Sequence, residues 1–154
     1  MTETEIQREL TRPGRMFDYR KFLVVPNAAW GVQLHECDLL ALTVSGYAHE
    51  IEIKVSVHDL KRDREKYHHH ESRRIKCLWF AAPAEMREAM LEHVPEHAGI
   101  ILVHDQSHGW SRVLEIVRKA QRRPDAKAFT LEERYDLARL GTIRYWSRMH
   151  AWSA

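Results

Sequence analysis

Asp38, Glu50, Glu52 and Lys54 stand among the apolar residues of ECDLLALTVSGYAHEIEIKVS, residues 36 to 56, a stretch otherwise suited to forming β-strands. Alternation along HEIEIKV sends Ile51, Ile53 and Val55 to one face, and Glu50, Glu52 and Lys54 to the other. A three-residue loop, Val44-Ser45-Gly46, puts glycine at the left-handed position that such hairpin turns need, and pairs Thr43 with Tyr47. That register sets Asp38 across from Glu52, with β-carbons roughly 5 Å apart; a two-residue turn would instead send Asp38 to the opposite face. Opposed carboxylates repel, so the pair calls for a counter-charge: Lys54, arginines or a divalent cation. Hard cations such as Mg²⁺ are held by one or two carboxylates together with water and substrate phosphate. Lys54, two positions along the same strand, is placed to meet such a phosphate. The alternative reading of the pattern is a solvated sheet face with exposed Glu-Lys alternation.

Other residues bear on the same chemistry. Glu36, two before Asp38, could supply a further carboxylate around the site or stand as a strand-end surface acid. Glu5 and Glu9 share one face of the first helix, where the surface reading is favoured. Consecutive His68, His69 and His70 point about 100° apart on a helix and cannot converge on one zinc ion. They belong instead to a basic stretch in which Lys61, Arg62, Lys66, His69, Arg73 and Arg74 are candidate phosphate contacts, against the reading of a solvated helix face with paired charges. Arg118, Lys119, Arg122 and Arg123 form a second basic cluster. Trp79, Phe80, Trp110, Trp146 and Trp152 read as core or interface aromatics, and the grouping of His104, Asp105 and His108 as a chance arrangement.

These residues need elements to position them. Thr2 and Glu5 have capping-box spacing, with Ile6 and Leu10 following at helical spacing, which predicts a short first helix ending before Pro13. RKFLVVP reads as a strand, and two more, about 33–44 and 47–55, flank the Ser45-Gly46 turn. Ser56 and Asp59 start a polar helix, VHDLKRDREKYHHHESRR. IKCLWFAAP reads as a buried central strand, AEMREAMLEHV as a short helix ended by Pro95, and AGIILVHD and WSRVLEIVRKA as two further strands. Thr130 and Glu133 cap a last helix whose stripe of Leu131, Tyr135, Leu137, Ala138, Leu140, Ile143 and Trp146 suits packing on the body or on a second copy, as a homodimer. The order predicts an α+β fold with a mixed central sheet flanked by helices and an added C-terminal helix.

With 154 residues the chain fits one domain, residues 1–154, able to bury about two thirds of its unfolded surface. Its 44% apolar and 30% charged residues, 24 basic against 22 acidic, exclude a disordered class. Cys37 and Cys77 lie in apolar runs outside any CxxC pair, which leaves zinc ribbons and redox motifs without support and predicts buried thiols in a reducing compartment. An acidic N-terminus without an apolar segment, and apolar runs no longer than AGIILV, predict a cytoplasmic protein with no membrane span.

Asp38 at the start of one strand, followed after a hairpin by Glu52-Ile53-Lys54, resembles the core of the PD-(D/E)XK nuclease superfamily. The capped basic helix that follows, then IKCLWFAAP, VPEHAGIILV and the C-terminal LARLGTIRYW, resembles more closely a group of small phage and bacterial nucleases related to the MmcB-type DNA repair proteins. The resemblance spans roughly Val24 to Val103 and departs from the superfamily pattern at Cys37, where a proline is usual. It implies a restriction-endonuclease-like core in which Asp38, Glu52 and the Ile53 carbonyl bind Mg²⁺ or Mn²⁺ and Lys54 orients the attacking water. The implied activity is metal-dependent hydrolysis of DNA phosphodiester bonds in repair or phage DNA processing. A catalytically silent DNA-binding or protein-interaction module of the same fold is the alternative.

Overall fold

The structure, a computed structural model, describes residues 1–28, 36–63, 72–105 and 112–151. Along the chain run α1 (Glu3–Thr11), β1 (Leu23–Ala28), β2 (Cys37–Leu42), β3 (Ala48–Ile53), α2 (Val57–Asp63), β4 (Ile75–Pro83), a 3-10 turn (Ala84–Met86), α3 (Arg87–His93), β5 (Gly99–His104), β6 (Val113–Arg118) and α4 (Leu131–Ala151). The six strands make one sheet in sequence order. β1, β2 and β3 pair antiparallel, β3, β4 and β5 pair parallel, and β6 returns antiparallel to β5. This is a mixed sheet flanked by helices, an α+β fold. Among the described residues no helix is long and apolar enough to cross a membrane.

Local chemistry accounts for most boundaries. The Thr2–Glu5 capping box closes reciprocally at the start of α1. The same device starts α4, where the Thr130 N–H donates to Glu133 and the Glu133 N–H to the Thr130 hydroxyl. Ser56 accepts from the Asp59 N–H at α2, and α3 ends before Pro95, which has no N–H to continue a helix.

One face of the sheet packs Leu39, Ala41, Ile51, Ile53, Trp79 and Ile101 against Ile6, Leu10 and Phe17 of the α1 region. On the opposite face two separate clusters form. Leu40, Leu42 and Ile75 meet Phe129 and Leu137, while Leu78, Phe80 and Ile100 meet Leu60 of α2 with Met86 and Met90. The sheet position between them belongs to β3, whose even-numbered residues there are Glu50 and Glu52. Trp79 is core, as its apolar strand predicts, and it lies so close over Gly99 that a β-carbon there would stand 2.2 Å from the indole.

α4 engages less of its apolar stripe than the sequence predicts. Leu137 is buried against β1 and Leu140 partly so, the former contributing about 2 kcal/mol. Leu131, Tyr135, Ile143 and Trp146 remain exposed, because the helix packs on a sheet edge and shows one flank only. Cys37 and Cys77 are free and buried.

Candidate metal centre

The β2–β3 hairpin has the register that its loop predicts. The Thr43 N–H donates to the Tyr47 carbonyl, the Gly46 N–H to the Thr43 carbonyl, and Gly46 takes φ +86°. Leu39 stands opposite Ile51 and Leu40 opposite Glu50, so the step beyond sets Asp38 against Glu52. Gly46 is needed twice over, because a β-carbon at that position would also lie 2.7 Å from the Phe129 carbonyl oxygen.

The charged side of β3 is not a solvated face. Glu50 and Glu52 are fully buried and Lys54 is 3% exposed. Lys54 extends the β3–β4 ladder through its N–H to the Ala81 carbonyl, and its ammonium donates to Glu52 Oε2 at 2.8 Å. The same ammonium lies 4.0 Å from Asp38 Oδ2, and that oxygen accepts the Ile53 N–H at 2.7 Å. Asp38 is the open member of the trio, its side chain 28% exposed. Burial and the nearby Glu52 push its carboxyl up to about 6, against the pull of the Ile53 N–H and Lys54. Burial, reinforced by Glu50, Glu52 and Asp38, likewise drives the Cys37 thiol strongly upward, so it is no nucleophile. Glu50 is a wholly enclosed neighbour of the pair.

Helix α1 completes the surroundings with residues the sequence reading did not single out. The buried Gln7 amide donates to the Asp38 carbonyl at 3.1 Å, to Asn27 Oδ1 at 3.2 Å and to Glu3 Oε1 at 3.0 Å, fixing helix, strand and site to one another. Burial raises the Glu3 carboxyl, with Lys54, Asp59, Glu52 and Arg148 all within electrostatic reach. Glu3 and Gln7 sit four residues apart on the helix that buries Ile6 and Leu10. That spacing was legible; which end of the strands the helix would abut was not.

The other candidates separate. Glu36 is exposed and precedes β2, so the strand has not begun there. Glu5 pairs with Arg112, which also holds Asp105, and Glu9 with Arg12 and Arg15; both acids face away into ion pairs. Lys61 is exposed and Arg62 pairs with Asp59 at 3.6 Å. Arg73 pairs with Asp125, while Arg74 lies over the Phe129 ring and pairs with Glu133, tying β4 to the start of α4 instead of facing a ligand. Arg118 donates to the carbonyls of Val94, Pro95 and Ala98, closing the end of α3. His104 is no stray, since its ring bonds Glu115, which also holds Arg87. Lys66, His68, His69, His70, His108, Trp110 and Trp152 lie outside the described residues.

Among the described residues no group of three or more His, Cys, Asp or Glu side chains could by itself hold a metal ion. Two oxygen-donor carboxylates, one of them part-open with a raised pKa, nevertheless fit a hard cation that takes its remaining ligands from water and phosphate. No family model matches the chain, and no curated protein does. Among solved structures the chain is similar to a protein of unknown function from Silicibacter pomeroyi, with a TM-score of 0.63 and 18% identity over 99% of this chain and 92% of that one. At that identity the likeness is one of fold.

Proposed function

We propose that the chain is a metal-dependent deoxyribonuclease, hydrolysing DNA phosphodiester bonds in repair or phage DNA processing on a restriction-endonuclease-like core. One observation carries the reading: Glu52 and Lys54 are buried together beside a part-open Asp38, in a register set by the Gly46 turn. A surface ion pair needs no such enclosure, and a carboxyl raised by burial and a neighbouring acid, as that of Asp38 is, is typical of functional sites.

Asp38 and Glu52 would hold a Mg²⁺ or Mn²⁺ ion, with the Ile53 carbonyl as the further ligand that the resemblance implies. When bound, the ion supplies Lewis-acid charge at the scissile phosphate. Lys54, released from Glu52, holds the attacking water and neutralises charge developing on the phosphate oxygens. Gln7 keeps Asp38 in place through its carbonyl. The open side of Asp38 is where a phosphate approaches. DNA is the partner, with Lys61 and Arg62 at the rim. A second copy is the other partner proposed, seated on the exposed Leu131, Tyr135, Ile143 and Trp146 of α4.

The test is cleavage of plasmid and oligonucleotide DNA in Mg²⁺ or Mn²⁺ by wild type, Glu52→Gln and Lys54→Ala. Each substitution is expected to lower the rate by roughly 100-fold or more. Rates unchanged in both variants would remove the catalytic assignment, and retention of DNA without cleavage by wild type would leave a binding module.

A further inference from the structure

A groove between β1 and α4 runs toward the candidate metal centre and is used by none of the chemistry above. It has a volume of about 530 Å³, with Leu23, Val24 and Pro26 along one wall and Gly141, Tyr145 and Arg148 along the other. A second hollow of about 170 Å³ shares Val24, Pro26 and Arg148 with it and adds Gln7 and Arg8 of α1. The two therefore meet at Arg148. The path ends at Gln7, whose amide holds the Asp38 carbonyl and Glu3. Arg148 is itself close enough to Glu3 to oppose the rise of that carboxyl's pKa.

The lining combines an apolar floor with positive charge. Arg8 and Arg148 are exposed, and among the described residues that line the two hollows none is acidic. Arg144 donates to the Pro26 carbonyl at 2.7 Å and so pins α4 to the strand, holding the groove open. Tyr145 is 59% exposed, its ring braced edge-on by Trp146 at 5.4 Å. Cations that track a phosphate backbone, with an aromatic ring and apolar wall for base faces, are what a single strand needs. The larger hollow has the volume of a pocket for one small ligand, on the order of a nucleotide or two.

We propose that this groove is a track for single-stranded DNA, with phosphates on Arg8 and Arg148 and a base stacked on Tyr145 against Val24 and Pro26. The direction of travel rests on the nuclease reading above; the binding does not, because it needs no metal.

The experiment is fluorescence anisotropy of a labelled twelve-residue oligothymidylate with the full chain in EDTA and low salt. Wild type is compared with Arg148→Glu, Arg8→Ala and Tyr145→Ala, each first checked for an unchanged melting curve. Arg148→Glu should weaken binding by about tenfold or more, Arg8→Ala less, and Tyr145→Ala by about fivefold or more. A duplex of equal length should bind wild type more weakly than the single strand. Absent binding by wild type, a preference for duplex, or affinities unchanged in all three variants would overturn the track. Cleavage in Mn²⁺ on the same samples separates the two readings. Wild type that cleaves while all three variants bind normally overturns the track and leaves the nuclease. Variant-sensitive binding without cleavage supports the track and removes the nuclease.

Discussion

Two aspartates, one buried and one part-open, show how differently one side chain can be enclosed. Asp18, between α1 and β1, is fully buried, and its carboxylate accepts the N–H groups of Gly14 at 2.8 Å and Arg20 at 2.9 Å and two contacts from the Arg20 guanidinium. The guanidinium first, then the Gly14 N–H, holds its carboxyl well below the usual carboxylate range. Asp38 has one backbone N–H, a share of an ammonium 4.0 Å away and a second carboxylate beside it, and its pKa goes the other way, to about 6. The first carboxylate closes a turn, whereas the second keeps unmet demand for positive charge and an open side from which to receive it. Enclosure alone therefore does not mark a site; enclosure with an incomplete set of donors does.

The contrast is most easily broken by removing each charge. Asp18→Ala should lower the melting temperature by roughly 5 °C or more, since it removes the acceptor from four part-buried donor contacts. An unchanged melting curve would mean that the turn does not depend on its carboxylate. Next in size is Gly46→Ala, which places an ordinary side chain at φ +86° and against the Phe129 carbonyl. The backbone term alone is about 1–2 kcal/mol, or roughly 3–6 °C by differential scanning fluorimetry. Cleavage should fall with it, because the turn sets Asp38 across from Glu52.

The smallest effect has the opposite sign. Asp38→Asn should raise the melting temperature of the metal-free protein by about 2–4 °C at pH 7.5, by removing a carboxylate whose charge the fold does not fully balance. Its folded pKa of about 6 exceeds the ordinary 3.8, so the folded chain binds more protons between those values. Stability from this group is present below about pH 4 and lost as pH rises through 6, so the gain in Asp38→Asn should shrink toward zero at pH 4. For Asp18 the window is reversed: its pairing stabilises the fold above pH 3.8 and is lost as pH falls through its depressed value. Melting curves across pH 4 to 8 read the Asp38 window and their continuation below pH 3.8 reads that of Asp18; a gain in Asp38→Asn independent of pH would contradict the account of Asp38.

Much of this was legible in the residues themselves. Capping boxes at Thr2 and Thr130, the apolar run of β4 and the Val44-Ser45-Gly46 loop are local signals, and each gave its element or register. The Asp38–Glu52 opposition followed by counting from that loop. Burial of Glu50 and Glu52 did not follow, because it arises from α2, α3 and α4 covering the face from distant parts of the chain. For the same reason the sequence offered Arg74 as a phosphate contact, and Arg118 as part of a basic cluster, when tertiary partners occupy both. Gln7 escaped notice because an amide in a helix carries no signal until a strand carbonyl is set against it.

The most direct test is anomalous scattering from crystals of the protein grown in Mn²⁺. The account predicts a peak about 2.1 Å from oxygens of Asp38 and Glu52, with the Lys54 ammonium displaced from its 2.8 Å contact with Glu52. A Lys54–Glu52 pair left intact at high Mn²⁺, with no peak beside Asp38, would contradict it.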